Sequence, residues 1–246
     1  MALRFGLTDA TRPAARQGAW VGFATGLYGL SFGALAVAAG LNVWQTVLLS
    51  ALLFSGGSQF ALIGVLASGG LGAAAIAAST LLGLRNGFYG LRMARVLKPR
   101  GWQRALAAQL TIDESTAVAL AQPDTARQRV GFWVTGVSVY LFWNTMTLAG
   151  ALLGNALGDP KAWGLDAAAS GAFLALLWPR LDSRATRAIA SAAMAVALLA
   201  TPLVPPGIPI LLAALVAALA GARPRVFAGS AVRQDAGEDQ PAEPRS

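Results

Sequence analysis

The stretch that decides the fold is WQTVLLSALLFSGGSQFALIGVLA, residues 44–67. It carries no Asp, Glu, Lys or Arg, and it lies within the 68 charge-free residues between Arg16 and Arg85. Two more charge-free stretches, of 35 and 29 residues, cover 188–222 and 130–158. Apolar runs of about 18 residues or more are long enough to cross a bilayer as helices. The sequence therefore predicts an all-α, polytopic membrane helix bundle.

The composition agrees with this prediction. Of the 246 residues, 12% are charged and 56% are hydrophobic, whereas a soluble domain carries about 25% charge. The chain also has neither Cys nor His. This excludes disulfides, thiolate nucleophiles, imidazole bases and Cys- or His-based metal sites. We therefore expect no cofactor and no metal, and any proton chemistry has to use carboxylates, Tyr or backbone groups.

The apolar residues fall into about six to seven hydrophobic segments. These runs cover 19–41, 44–67, 71–91, 130–157, 163–180, 186–202 and 207–222. We interpret 19–222 as a single transmembrane domain. A polar, cytoplasmic N-terminal arm at 1–18 precedes it, and a polar, disordered cytoplasmic tail at 223–246 follows.

The net charge of +8 is distributed as expected for a membrane protein. From residue 223 onward four Arg balance four acids, so the excess lies in residues 1–222. There the basic residues cluster in the short segments between apolar runs. Basic loops stay cytoplasmic, which predicts a multi-pass membrane protein with both termini in the cytoplasm. The same distribution argues against a nucleic-acid partner.

Counting crossings against the basic loops exposes two irregular segments. Three full crossings before the basic segment 92–104 would place that segment outside, so one run has to be broken or re-entrant. A Gly-Gly flanked by Ser and Gln makes poor continuous helix, which predicts the interruption near 54–60. Residues 105–121 lie between two basic segments, so we predict a second re-entrant or surface segment there.

The first polar cluster is Ser55, Gly56, Gly57, Ser58 and Gln59. Unwound backbone at membrane depth is tolerated where it lines a cavity, and transporters use such breaks to bind charged groups of a substrate. These residues are accordingly candidate substrate ligands. The alternative is that the glycines are close-packing positions and the hydroxyls bond within the helix.

The second cluster is Arg85, Asn86 and Tyr89, at the end of an apolar run. Arg85 lies seven residues inside Arg92, about 10 Å deeper if the segment is helical. Arg85 either anchors the cytoplasmic interface or pairs with a carboxylate of substrate or protein. We include all three residues among the candidate substrate ligands.

The third cluster is Asp113-Glu114, two acids alone in an apolar stretch. In a partly dry site one of two adjacent carboxyls stays protonated more readily, which suits proton handling or recognition of a substrate amine. The alternative is an exposed acidic helix start. Arg85 or Arg92 is the expected charge partner. Among the remaining polar residues, Trp143 is typical of an interfacial aromatic belt, and Asn144 is expected to bond between helices.

These clusters resemble the pattern of a known family. The matching stretches are Gly29-Leu30-Ser31-Phe32-Gly33, Gly40 through Phe60, Leu84 through Tyr89, and Asp113-Glu114. In this order and spacing the chain resembles the AzlC family, the larger subunit of branched-chain amino acid exporters, over about residues 18–222.

Four positions depart from the family pattern. Gly83 replaces a common Asp or Asn, Asn86 replaces a frequent His, Ile112 stands where a Thr precedes the acid pair, and Leu27 replaces a Pro of the first helix. A family mechanism that protonates that His cannot operate unchanged here.

The resemblance implies that 19–222 is a single transmembrane transport domain in the bacterial inner membrane. It implies secondary export of valine, leucine or isoleucine, together with a small AzlD-like membrane subunit. No P-loop is present, so ATP does not drive the chain directly. Two alternatives remain: a membrane assembly subunit that does not transport, and an integral membrane enzyme. An enzyme is disfavoured because the sequence has no Gly-x-Ser-x-Gly elbow, no His-Glu-x-x-His motif and no His base.

Overall fold

The computed structural model describes residues 8–157, 174, 177–178, 181–205 and 207–221, and every regular element among them is helical. Nine helices are formed by these residues, which confirms the predicted all-α class. They are α1 (Arg12–Ala38), α2 (Val43–Leu52), α3 (Gly56–Ala67), α4 (Gly72–Leu97), α5 (Gln103–Gln109), α6 (Asp113–Leu120), α7 (Thr125–Leu157), α8 (Arg184–Ala200) and α9 (Ile208–Gly221).

Two helices, α1 and α7, are long and apolar enough to cross a membrane. They have 27 and 33 residues, or about 40 and 50 Å at 1.5 Å per residue. Helix α1 begins at Arg12, inside the segment predicted as a polar arm, with a proline in its first two positions. Proline is well placed there because the first N–H groups of a helix have no intrahelical acceptor.

The α1–α7 contact is built on small residues, because lipid provides no hydrophobic force between helices and close packing has to replace it. A Cβ added to Gly18 would lie 2.6 Å from Thr135 Oγ1, and one added to Gly29 would lie 2.5 Å from the Trp143 carbonyl oxygen. Crowding of the same kind affects five glycines of α1: Gly18, Gly22, Gly26, Gly29 and Gly33. Larger residues at these positions would force the two helices apart.

Both predicted interruptions are present. Residues 53–55 separate α2 from α3, and residues 110–112 separate α5 from α6. The four helices involved have 10, 12, 7 and 8 residues, each well short of the 20 or so that a full crossing needs. By contrast, α4 is continuous over 26 residues, and it carries Arg85 in its interior.

The core between α1, α3 and α7 is aromatic. The rings of Phe32 and Trp143 stack with centroids 6.2 Å apart, and Phe60 meets Phe32 edge-on at 5.7 Å. All three side chains are buried. The prediction that Trp143 belongs to an interfacial belt is therefore wrong, because its ring fills the centre of the bundle.

The described residues from Leu174 onward form a compact unit of their own. Its helix α8 starts with a reciprocal cap: Ser183 Oγ accepts from the Thr186 N–H, and Thr186 Oγ1 accepts from the Ser183 N–H, both at 3.1 Å. Helices α8 and α9 correspond to the predicted runs 186–202 and 207–222. Most of the predicted run 163–180, and the predicted tail 223–246, lie outside the described residues.

Candidate functional site

Gln59 forms hydrogen bonds to backbone carbonyl groups at the end of α2, on one side of the α2–α3 break. Its Nε2 donates to the carbonyl oxygens of Leu53 at 2.6 Å and Ser50 at 3.2 Å. Its Oε1 accepts from Trp143 Nε1 at 2.9 Å. The side chain is completely buried, and its amide is bonded to protein on both sides. Gln59 thus satisfies the Ser50 carbonyl, which the end of α2 leaves without a backbone donor. It is a second donor to the Leu53 carbonyl, which also accepts from the Ser55 N–H at 2.7 Å.

Two residues that the sequence did not single out as site residues complete this closure. Gln109 Nε2 donates to the carbonyl oxygen of Ala51 at 2.8 Å, and Tyr140 Oη donates to the same oxygen at 3.4 Å. Gln109 lies on α5 and Tyr140 on α7, so the break is tied to two distant helices. A lone amide in the apolar stretch before Asp113 was the only available signal for Gln109.

On the other side of the same break, the N-terminus of α3 is open in the sense that no side chain caps its first N–H groups. Ser55, the N-cap of α3, is extended and makes no side-chain bond to the helix backbone. Its hydroxyl donates instead to Ser58 Oγ at 3.2 Å. The first N–H groups of a helix have no intrahelical acceptor and carry partial positive charge. The N-terminus of α3, at Gly56 and Gly57, is therefore suited to an anion.

Arg85 of α4 lies against this open end. A Cβ added to Gly57 would be 2.8 Å from Arg85 Nη2, so the absence of a side chain at Gly57 admits the guanidinium. Arg85 Nη1 also pairs with Asp113 Oδ2 at 2.7 Å, and the two side chains are 33% and 11% exposed. The expectation that Arg85 or Arg92 partners the acid pair is confirmed for Arg85. One guanidinium thus connects both helix breaks.

Within the part of the chain that the structure describes, three buried polar atoms, on Arg85 itself or on residues close in sequence to the ion pair, have no hydrogen-bond partner. They are Arg85 Nε, Asn86 Oδ1 and Thr116 Oγ1. Buried polar groups are normally bonded, and an unsatisfied one costs about 1–3 kcal/mol. A polar ligand or water that bonded to these atoms would recover that free energy.

The α5–α6 break places Asp113 at the first residue of α6. Ser115 Oγ accepts from the Ile112 N–H at 3.1 Å and donates to the Leu110 carbonyl oxygen at 2.6 Å. One hydroxyl therefore closes this break from within, and it fixes the start of α6 facing Arg85.

Glu114, the second acid, is half-buried and lies next to Asp113. Helix α6 is too short to span a membrane. Burial raises the pKa of the Glu114 carboxyl above its ordinary range. Its own backbone N–H and the Arg85 charge oppose the rise in this pKa, whereas the Asp113 charge adds to it.

The predicted site residues therefore divide into two groups. Those that the structure brings together are Ser55, Gly56, Gly57, Ser58, Arg85 and Asp113. Gln59 is not part of this group, because its amide is bonded to backbone carbonyls of the break and to Trp143. Asn86 and Tyr89 are half-buried on α4, one and four residues from Arg85, and Gly83 lies on the same helix where an added Cβ would be 3.3 Å from Ser58 Oγ.

Asn144 does not behave as predicted. Its Nδ2 donates to the Tyr140 carbonyl oxygen of its own helix at 2.8 Å, so the expected bond between helices is wrong. Its Oδ1 is buried and has no hydrogen-bond partner among the described residues.

As for metals, residues 8–157, 181–205 and 207–221 contain no group of three acids placed to hold an ion.

A comparison with protein families gives one match. The family model described as AzlC protein matches residues 21–157, more than half of the chain. The match extends from α1 to α7 and includes both helix breaks and the Arg85–Asp113 pair. No curated protein and no solved structure matches the chain.

Proposed function

The chain belongs to the AzlC family, which is associated with branched-chain amino acid transport, and on this premise we propose that it exports branched-chain amino acids. Members of the family work with a partner subunit. We assign to this chain a small AzlD-like subunit as that partner and the inner membrane as its location. Export is secondary, and both termini lie in the cytoplasm.

The observation that carries the proposal is the Arg85–Asp113 pair at the open N-terminus of α3. An amino acid presents a carboxylate and an ammonium group a few ångströms apart. The α3 N–H groups and the unbonded Arg85 Nε suit the carboxylate. Asp113 suits the ammonium. The cluster therefore offers both signs of charge in the arrangement that a zwitterion requires.

An apolar surface adjoins the same guanidinium. Leu82 Cδ2 lies 3.6 Å from the position of a Cβ on Gly57, and Arg85 Nη2 lies 2.8 Å from the same position. An aliphatic substrate side chain would gain about 0.8 kcal/mol per buried CH₂ against such a surface. This supports a branched-chain substrate over a polar one.

The outer face of α4 supports a membrane-embedded assembly. Leu84, Phe88 and Leu91 are 56%, 71% and 70% exposed. In water such a face would be costly, whereas lipid or an apolar partner helix covers it without penalty. We therefore place the bilayer or the small subunit against this face.

Efflux of valine from loaded cells that express the chain with its partner tests the site. Arg85→Ala removes the carboxylate ligand and Asp113→Asn removes the ammonium ligand, and each should lower efflux about tenfold or more, since a hydrogen bond to a charged group contributes about 1.5–3 kcal/mol. Arg92→Ala, on the same helix, is the control. Membrane levels of each variant are measured in parallel, and normal efflux in both site variants would refute the assignment.

A glycine pair refines the test without removing charge. Gly57→Ala should displace the Arg85 guanidinium and reduce efflux. Gly64→Ala, on the same helix, has no atom within 4 Å of the added Cβ, so it should leave efflux unchanged and stabilise α3 by about 0.5–1 kcal/mol. Equal efflux in the two variants would contradict the placement of Arg85 at the site.

A further inference from the structure

A second candidate site lies between the end of α4 and α5, and its lining includes neither Arg85 nor Asp113. An open pocket of about 590 Å³ occupies this position. Its lining combines buried apolar side chains, Met93, Leu97 and Ala107, with three exposed cations, Lys98, Arg100 and Arg104. A pocket with an apolar floor and a cationic rim matches a ligand that has a hydrocarbon part and an anionic head.

The cations of the rim are available to such a ligand. Within the described residues, the ion pairs are Arg12–Asp9, Arg85–Asp113 and Arg127–Asp124, so the three rim cations have no carboxylate partner there. Lys98 ends α4 in a left-handed conformation with φ of 47°, which turns the chain toward α5. Arg104 is held at the rim, since its Nε donates to the Pro99 carbonyl oxygen at 3.3 Å.

The negative end of the α4 dipole would oppose an anion in this pocket, but other groups offset it. Arg129 Nε donates to the Val96 carbonyl oxygen at 3.0 Å, and Arg95 lies in the last turn. Cations near a helix C-terminus compensate its partial negative charge. The rim cations are therefore not needed to compensate the α4 dipole, and they can interact with an anionic ligand.

The surroundings match the headgroup region of a bilayer. Trp102, between Arg100 and Arg104 in sequence, is 62% exposed, and Trp is enriched at membrane interfaces. The segment is also one that the charge pattern assigns to the cytoplasmic face. Basic pockets between helices on that face bind anionic lipid headgroups.

We propose that this pocket binds an anionic phospholipid, with its phosphate on Lys98, Arg100 and Arg104 and an acyl chain along the apolar floor. Binding would secure the short helix α5 to the end of α4. Since α5 carries Gln109, the lipid would also support the closure of the α2–α3 break. The proposal rests on the α4–α5 pocket alone and does not depend on the proposed function.

The test measures thermal unfolding of the full-length chain in nonionic detergent. Phosphatidylglycerol should raise the midpoint, because a ligand that binds only the folded state stabilises it. Phosphatidylcholine with the same acyl chains, and inorganic phosphate, should not. In Arg100→Gln/Arg104→Gln the affinity for phosphatidylglycerol should fall about tenfold or more. Arg16→Gln/Arg92→Gln removes the same charge but leaves the pocket lining, Arg95 and Arg129 intact, so it should keep the shift.

An equal shift in both double variants, or an equal shift with phosphatidylcholine, would overturn the proposal. A shift produced equally by inorganic phosphate would overturn the lipid assignment. Should the pocket variant fail to fold, the salt dependence of the unchanged chain decides. High NaCl screens charges and should abolish the shift with phosphatidylglycerol, and a shift that persists would refute the site.

Discussion

The two helix breaks of this chain solve the same problem in different ways. Between α2 and α3 the freed carbonyl groups are bonded by Gln59, Gln109 and Tyr140. Between α5 and α6 the main bonds come from Ser115, within the same segment. The first break depends on the packing of several helices, whereas the second is closed by its own sequence.

The difference has a consequence for function. A break closed by distant side chains holds its shape only while those helices keep their positions, so movement of α5 or α7 would alter it. A locally closed break stays rigid when the bundle moves. Arg85 connects the two, because it lies against Gly57 of the first and pairs with Asp113 of the second. We therefore expect the first break to be the adaptable half of the site and the second to be the fixed half.

The largest effect on this comparison is expected from Gln59→Leu. The change leaves the Ser50 carbonyl and the Trp143 N–H buried without the bonds that Gln59 supplies, at about 1–3 kcal/mol for each. The Leu53 carbonyl keeps its bond from the Ser55 N–H. We expect the midpoint of thermal unfolding to fall by several degrees, together with loss of efflux. Gln109→Leu, which removes bonds only to the partly buried Ala51 carbonyl and the exposed Leu52 carbonyl, should have a smaller effect on both. If the two variants were equally stable, the first break would not depend on Gln59.

The position of both breaks could be predicted from the sequence, and the reason is local. Gly56-Gly57 beside Ser and Gln is poor helix wherever it occurs. A segment between two basic loops cannot cross the membrane. The pairing of Arg85 with an acid was also predictable, since charges are few and each buried one needs a partner.

The side chains that close the first break could not be predicted in this way. The bond from Gln109 to Ala51 spans 58 residues, and that from Trp143 to Gln59 spans 84. Which side chain bonds to which carbonyl depends on how the helices pack, and the spacing of apolar residues along the sequence does not determine that packing. Trp143 was misjudged for the same reason, because a Trp in an apolar run has the same sequence signal at an interface and in a core.

A smaller effect is expected from Ser115→Ala at the second break. It removes one cap bond and leaves the Leu110 carbonyl without its donor, at a cost of about 1 kcal/mol. Ser115→Thr keeps the hydroxyl and should retain most of the stability, which makes it the matched control. Thermal unfolding of both variants measures this effect. A loss as large as that of Gln59→Leu would show that the second break also depends on the wider bundle.

The smallest expected effect is a pH dependence of the unfolding midpoint. It distinguishes the role of Glu114 from that of Asp113, the two acids of the second break. Because burial raises the pKa of Glu114 in the folded chain, the folded state binds that proton more tightly than the unfolded state does. This contribution to the free energy of unfolding is fully present below the ordinary Glu pKa, and it is lost as the pH rises through the raised value.

The unfolding midpoint of the full chain should therefore decline across that pH range. Glu114→Gln should flatten the decline, since the amide mimics the protonated carboxyl and does not titrate. Asp113→Asn is the comparison: it removes the ion pair with Arg85 but leaves Glu114 in place, so it should lower the midpoint and still show a decline with pH. If the unfolding midpoint of Glu114→Gln keeps the full pH dependence, another group is responsible for it. The hypothesis that Glu114 handles a proton would then be contradicted.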